Sequence, residues 1–368
     1  MRLDALRGLL LLIMAAVHIP TPLSHIFQEP FGYISAAEGF IFLSACLAGR
    51  IYGKIYHQND WNTMARRIWK RARLIYFVHL GLLIPMALLA WATAGRLPAL
   101  SNHFHDFLLH PMAGLALIPL LLQQPPLFDI LPLYVILLGT TPWLLRLAKH
   151  QGWKKIMFVS GLGWLAAQGH FLPTSFHSAL APVHLGSFNL LAWQFLWICG
   201  LALGESSLRG SPITGTGRVP IGIIASIIVL VGLLSRHGFW PAEWFNPSLY
   251  LWMDKWTLGP LRLLNFAAWV TVLLVWKPRL PDYLLSPTAL LGRNSLAVFS
   301  FHLLLSVAAT VMIQLFALAS GERILIGLAV MALLFAWAAW LEYRKTWTAK
   351  TLVIRDPFTL PPPIEAAS

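Results

Sequence analysis

Apolar residues run through this chain in blocks of about twenty, separated by short stretches that hold nearly all the charge. The first block is typical: Leu9 to Val17 carry no charge, and His18 follows. About twenty apolar residues in a helix span the hydrocarbon of a bilayer. Ten blocks fit that measure: 7–24, 31–53, 73–95, 129–148, 154–171, 189–206, 219–235, 261–277, 295–318 and 323–343. The run 112–122 is too short to span and ends in Gln-Gln-Pro-Pro, which suits a re-entrant or surface segment. Lipid satisfies no backbone polar group, so the blocks must be helical. The expected fold is all-α: a polytopic bundle of about ten transmembrane helices forming one domain over 1–345. A short cytoplasmic tail, 346–368, carries Pro361-Pro362-Pro363.

Composition agrees with the pattern. Of 368 residues 58% are hydrophobic and 11% charged, against about 25% charged in a soluble domain. Seventeen Trp and eight Tyr suit many helix ends at headgroup level. A net charge of +13 would suit nucleic acid, but its distribution argues for topology instead. With the N-terminus in the cytoplasm, every Lys and Arg falls on the inner side except Arg96, Arg236, Lys255, Arg262 and Arg323. That asymmetry places both termini in the cytoplasm. Cys46 and Cys199 lie inside apolar runs and imply no disulfide framework. Asp4 and the lack of a small-residue cleavage site mark the first block as a retained helix.

Several residues can carry chemistry. His18 follows Arg7 by eleven positions, about three turns, so both side chains share a face roughly 16 Å apart along the axis. An ionisable side chain within the bilayer marks a site by default. His18 is read as the general base of an acyl transfer across the membrane; the alternative is a packing histidine with a satisfied hydrogen bond. Glu38, about two turns below the outer surface, reaches comparable depth. It would orient His18 and stabilise its imidazolium, or else face water at the interface. Gly39, Ser44 and Ala45 would let that helix pack closely. Arg7 would meet an anionic donor from the cytoplasm, or pair with Asp4. Within 66–73, Arg67, Lys70, Arg71 and Arg73 would bind the phosphates of a nucleotide donor, or simply fix orientation. His302 follows Gly292-Arg293-Asn294-Ser295 on the donor side. Asn189, Trp193 and Gln194 would hold a sugar on the outer side, and Asp254 with Lys255 would form a local ion pair. The outer histidines, among them His103, His105, His110, His177 and His184, lack metal-ligand spacing.

Together these pieces resemble a known pattern. Arg7, ten residues and His18 are similar to the Arg-x10-His motif of the membrane acyltransferase-3 superfamily. The finer resemblance is to OpgC-type proteins, succinyltransferases of osmoregulated periplasmic glucans. It rests on six stretches: Arg2 to Gly8; Glu38 to Ser44; Leu131-Pro132-Leu133-Tyr134-Val135; Phe188-Asn189 with Ala192-Trp193-Gln194; Asp254-Lys255 with Leu258-Gly259-Pro260; and Leu291 to Leu296 with His302. Ala45 and Leu190 stand where the family often has Gly and Pro.

The resemblance implies a multi-pass protein of the bacterial inner membrane with no tightly bound cofactor. The donor substrate is cytoplasmic acyl-CoA, in the first instance succinyl-CoA, and the acceptor a periplasmic glucan or related glycan. His18 and Glu38 are then catalytic. Arg7, Arg67, Lys70, Arg71, Arg73, Arg293 and His302 face the donor; Asp4, Asn189, Trp193, Gln194, Asp254 and Lys255 face the acceptor. The bilayer is the other expected partner, a homo-oligomer is left open, and nucleic acid is not expected. Acetyl or other acyl transfer to a different envelope glycan, a proton-coupled glycan transporter with His18 and Glu38 as relay, and a non-catalytic scaffold are the competing readings.

Overall fold

The computed structural model describes residues 2–93, 96–169, 175–177, 182–210, 217–239, 251–278 and 281–355. In chain order the described helices are α1 Arg2–His18, α2 Ser24–Phe27, α3 Ala36–Gln58, α4 Trp61–Ala92, α5 Pro98–His103, α6 His105–Leu109, α7 Pro111–Leu117, α8 Ile130–Gln151, α9 Trp153–Gln168, α10 Leu190–Ser206, α11 Arg218–Arg236, α12 Pro260–Trp276, α13 Asp282–Arg293, α14 Ser295–Leu315 and α15 Ser320–Arg355. Strands β1 Ser175–His177 and β2 Pro182–His184 pair antiparallel, Phe176 opposite Val183.

The fold is all-α, and a helix stands over each of the ten expected blocks. Five of them, α4, α8, α11, α14 and Ser320–Trp347 of α15, are long and apolar enough to cross a membrane. Shifts at the ends have local causes. The first helix stops at His18, not 24, because Pro20 disfavours helical backbone at the residue before it. The basic run 66–73, expected in a loop, is helical: Asp60 caps α4 by accepting from the N–H groups of Asn62 and Thr63. α15 continues past the expected domain end at 345 to Arg355. Pro361 to Pro363 and 240–250 of the expected outer segment lie outside the described residues. Several elements carry no lipid-length apolar signature: α7, which falls in the run 112–122 expected as a re-entrant or surface segment, and, not expected, the short α5 and α6, the β-hairpin, and α13, a twelve-residue helix holding Pro287.

α1 is the hub. It packs on α3, α13, α14 and α15, and Leu11, Ile13, Met14 and Ala15 are buried there. Its closest neighbour is α13, and two glycines make that approach possible. A Cβ on Gly8 would stand 1.8 Å from the carbonyl oxygen of Thr288, and one on Gly292 1.8 Å from that of Asp4. A second intimate pair, α3 with α10, uses Gly204 against the Cys46 carbonyl in the same way. Small residues matter in lipid because association there relies on close van der Waals approach. The expectation that Gly39 and Ala45 serve packing is met: a Cβ on Gly39 would crowd Leu10, and Ala45 abuts Gly200.

α13 and α14 are almost one helix. They break at Asn294, whose side chain donates to the Leu290 carbonyl and to Glu342 Oε1 at 2.9 Å, while Lys345 Nζ donates to its Oδ1 at 2.7 Å. α15 therefore clamps the break. One end of the bundle is capped by α5 to α7 and the hairpin, with His184 Nε2 2.9 Å from Asp106 Oδ2.

Replacing Gly8 by Ala should force α1 and α13 apart. The expected loss is at least the ~1–3 kcal/mol of a typical overpacked site, read as a lowered thermal midpoint of the detergent-solubilised protein; an unchanged midpoint would mean that the crossing is looser than described.

Candidate active site

The crossing of α1 and α13 fixes what lies above it. Arg7 Nη2 donates to Ser295 Oγ at 2.5 Å, tying α1 to the first residue of α14. The guanidinium also lies 5.7 Å from the Phe40 ring centroid, and Phe40 stacks on Phe299 at 6.1 Å. Phe299 meets His302 edge to face at 5.1 Å. One layer further, His302 and His18 meet edge to edge, with centroids 5.1 Å apart and planes 20° from parallel. His18 Nδ1 is 2.9 Å from His302 Nε2, and His302 Nδ1 donates to the Phe299 carbonyl at 3.0 Å. His302 is wholly buried, whereas His18 keeps part of its surface open.

A cleft lies on the Arg7 side of this pair and ends short of it, at Phe299, and neither histidine lines it. A cavity of about 560 Å³ is lined by Arg71, Arg293, Asn294, Ser300, Phe301 and Trp337. It shares Arg71, Ser295 and Leu296 with a constriction lined by Arg7, Phe40, Tyr134 and Phe299. Two buried donors along this path have no acceptor among the described residues: Arg7 Nε and Trp337 Nε1. A ligand bearing amide or phosphate oxygens would satisfy both.

Four residues expected at the donor thus meet in one place: Arg7, Arg71 and Arg293 line the cleft, and His302 stands above it. Arg67, Lys70 and Arg73 point elsewhere and are exposed. The helical period separates them: Ile68, Ala72 and Ile75 mark the buried face of α4, and Arg71 lies beside it. Asp4 lines a different cavity, of about 930 Å³, with Arg50, Lys54, His57 and Arg209.

Glu38 departs most from expectation. Its side chain is buried, but it does not hold His18. Oε1 accepts from Arg262 Nη1 at 2.6 Å, and Oε2 accepts from the N–H of Ser35 at 3.1 Å and from its hydroxyl. Arg262 also binds Glu29, and Arg236 Nε donates to Glu29 at 2.6 Å. Ser35-Ala36-Ala37-Glu38 is a capping box, and that Ser-x-x-Glu signature stood in the sequence. The carboxylate is therefore spent on starting α3 and neutralising an arginine buried in apolar surroundings. Arg262 itself, counted only as an outer charge, was the partner the sequence concealed.

The expected sugar-holding residues are also engaged. Asn189 caps α10 by accepting from the Ala192 N–H at 3.2 Å. Trp193, fully buried, donates to the Trp256 carbonyl at 3.0 Å. Gln194 bonds both ways to Ser160 and so ties α10 to α9. Asp254 does not pair with Lys255; it accepts from the N–H and hydroxyl of Thr257, and Lys255 lies 4.8 Å from the Trp256 ring centroid. Sequence reading overlooked His79. It is fully buried on α4, two turns beyond Arg71, and neither ring nitrogen has a partner among the described residues. At 1.5 Å per residue it stands about 12 Å above Arg71.

A family model described as OpgC protein matches residues 1–346. No curated protein matches the chain, and no solved structure does.

Removing one partner of a buried ion pair leaves the other charge uncompensated, at a cost of about 3–5 kcal/mol. Arg262→Met should destabilise the protein by that order in thermal unfolding. Glu38→Gln should likewise lower the yield of folded protein, while the folded fraction keeps its turnover. A Glu38→Gln protein of normal stability but lost turnover would restore the carboxylate to the chemistry.

Proposed function

The chain belongs to the OpgC family, and on that premise we propose an acyltransferase acting in the bacterial inner membrane. Family membership makes it a membrane transferase acting on glucans. The finer reading is ours: ten spans with both termini in the cytoplasm, a cytoplasmic acyl-CoA donor, succinyl-CoA in the first instance, and a hydroxyl of a periplasmic glucan as acceptor. The observation that carries it is the hydrogen-bonded His18–His302 pair beside a cationic cleft with two unsatisfied buried donors.

The donor's anionic head would meet Arg71 and Arg293 at the wide part of the cleft. Arg and phosphate oxygens form strong, charge-assisted bonds. Its amide-bearing arm would offer oxygens to Trp337 Nε1 and Arg7 Nε and carry the thioester toward the imidazole pair. Helix rise supports the reach, since Arg7 and His18 are separated by about 16 Å along α1. From the outer side the glucan hydroxyl would approach His18 beneath α5 and Lys255.

The step is a simple exchange. The hydroxyl oxygen bonds to the thioester carbonyl carbon as His18 takes its proton. The carbon–sulfur bond then breaks, and the thiolate leaves with that proton as the free thiol. A positioned general base contributes about 10²–10⁴ in rate.

His18→Ala should leave the protein inserted and folded but lower acylation by that factor, measured with succinyl-CoA and purified glucan in nanodiscs; near-normal turnover would refute the base. Arg71→Ala should raise the KM for the thioester about tenfold, as expected for a lost hydrogen bond between charged groups. Arg67→Ala and Arg73→Ala should change it by less than about twofold, since exposed charges contribute little. Mass spectrometry of periplasmic glycans from cells with and without the chain should show a succinyl-sized mass difference on glucan. A different mass would revise the acyl group, and no difference would reject the transfer.

A further inference from the structure

The two imidazoles are held in a chain of hydrogen bonds whose direction is determined at one end. A carbonyl oxygen only accepts, so the 3.0 Å contact between Phe299 O and His302 requires a proton on His302 Nδ1. A neutral His302 then carries its lone pair on Nε2. That nitrogen is 2.9 Å from His18 Nδ1, so the proton between the rings belongs to His18. His18, neutral in turn, is left with a bare Nε2. We infer that His302 is a positioning residue: it fixes the tautomer and ring orientation of His18 so that Nε2 is the nitrogen that accepts the acceptor's proton. This rests on the transfer reading above and assigns to a second histidine the task first expected of Glu38.

Three features support the assignment. His302 is sealed, with no exposed surface, while His18 retains some; the arrangement suits a buried orienter behind an accessible base. The anchor is a backbone carbonyl three residues earlier on the same helix, so His302 is oriented by α14 itself, and tautomers are commonly set by such bonds. The near-coplanar, edge-to-edge hydrogen bond restricts rotation of the His18 ring about its side-chain bonds. When His18 gains a proton on Nε2, its Nδ1–H remains directed at the His302 lone pair, and the positive charge is shared along the bond rather than stranded in apolar surroundings. A carboxylate would stabilise the imidazolium more strongly but would need its own counter-charge in the empty state. A neutral imidazole needs none.

Two near-isosteric variants separate the roles. His302→Gln places an amide near the Nε2 position, where its oxygen can accept from His18 Nδ1. His302→Asn reaches only the Nδ1 position, keeping the bond to Phe299 but losing the one to His18. Expected is a kcat within about tenfold of wild type for Gln and lowered by about 10²-fold or more for Asn, the range for a misplaced base. The KM for succinyl-CoA should be unchanged in both. Equal losses in both variants, or full activity with Asn, would overturn the role.

A readout independent of turnover accompanies these. In nanodiscs with ¹⁵N-labelled histidine, the His18 signals, identified by their disappearance in His18→Gln, should show a protonated Nδ1 and an unprotonated Nε2 in the wild type. In His302→Asn they should show a mixture of tautomers. The opposite tautomer in the wild type would reject the inference even if glucan is acylated. The expected tautomer with no acylation of any glucan would reject the transfer reading and leave the positioning role of His302 intact.

Discussion

The hydrogen bond between two imidazoles depends on a contact made well below it. α1 and α13 touch backbone to backbone at Gly8 and Gly292, and α13 passes into α14 through the break at Asn294. That crossing sets the height of α14 against α1. It brings Ser295 to Arg7 and, two turns further, His302 to His18. A side chain at either glycine would part the helices, and the displacement would be carried up the bundle to a bond that tolerates a few tenths of an ångström. The geometry of the pair is thus fixed by residues with no chemistry of their own.

A second constraint acts from the outer half. Lipid offers no water to Arg262, so its charge is neutralised within the protein by Glu38 and Glu29. This ion cluster joins α3, α12 and the segment between α2 and α3. It is a fastening with a high cost of disruption and no accessible proton. Imidazoles and ions are therefore kept apart: the histidines are hydrogen-bonded to each other, the ions paired among themselves. A carboxylate beside His18 would have merged the two.

Much of this was legible from residues alone, and the limits have physical causes. The helical blocks were visible because lipid imposes a length on each. Arg7 and His18 were recognisable as a pair on one face because helical period converts eleven residues into a direction. His302 was placed on the donor side but not paired with His18: the two lie 284 positions apart, and no spacing encodes a contact of that range. Glu38 was singled out correctly as a buried carboxylate, yet its local signature, Ser35 three residues before, was passed over in favour of a distant histidine. α13 was missed because Pro287 and its low apolar content hide it from a measure tuned to lipid. The stretches that carried the family resemblance divide in space. Those around Arg7, Phe40, Tyr134 and Ser295 line the cleft, whereas those around Phe188, Trp193 and Leu258 hold the outer ends of α9 and α10 together.

α4 carries one further implication. Its 32 residues extend about 48 Å at helical rise, while hydrocarbon is only about 30 Å thick. The surplus lies at the basic end, so the helix stands out of the slab like a mooring post. Arg71, ten residues from its foot, is then stationed at the waterline, where a polyanion can stay wet while only its slender thread is drawn into oil. Length, not affinity, would decide how far that thread is admitted, and a carrier with a shorter leash would tie up at the post and never reach the histidines.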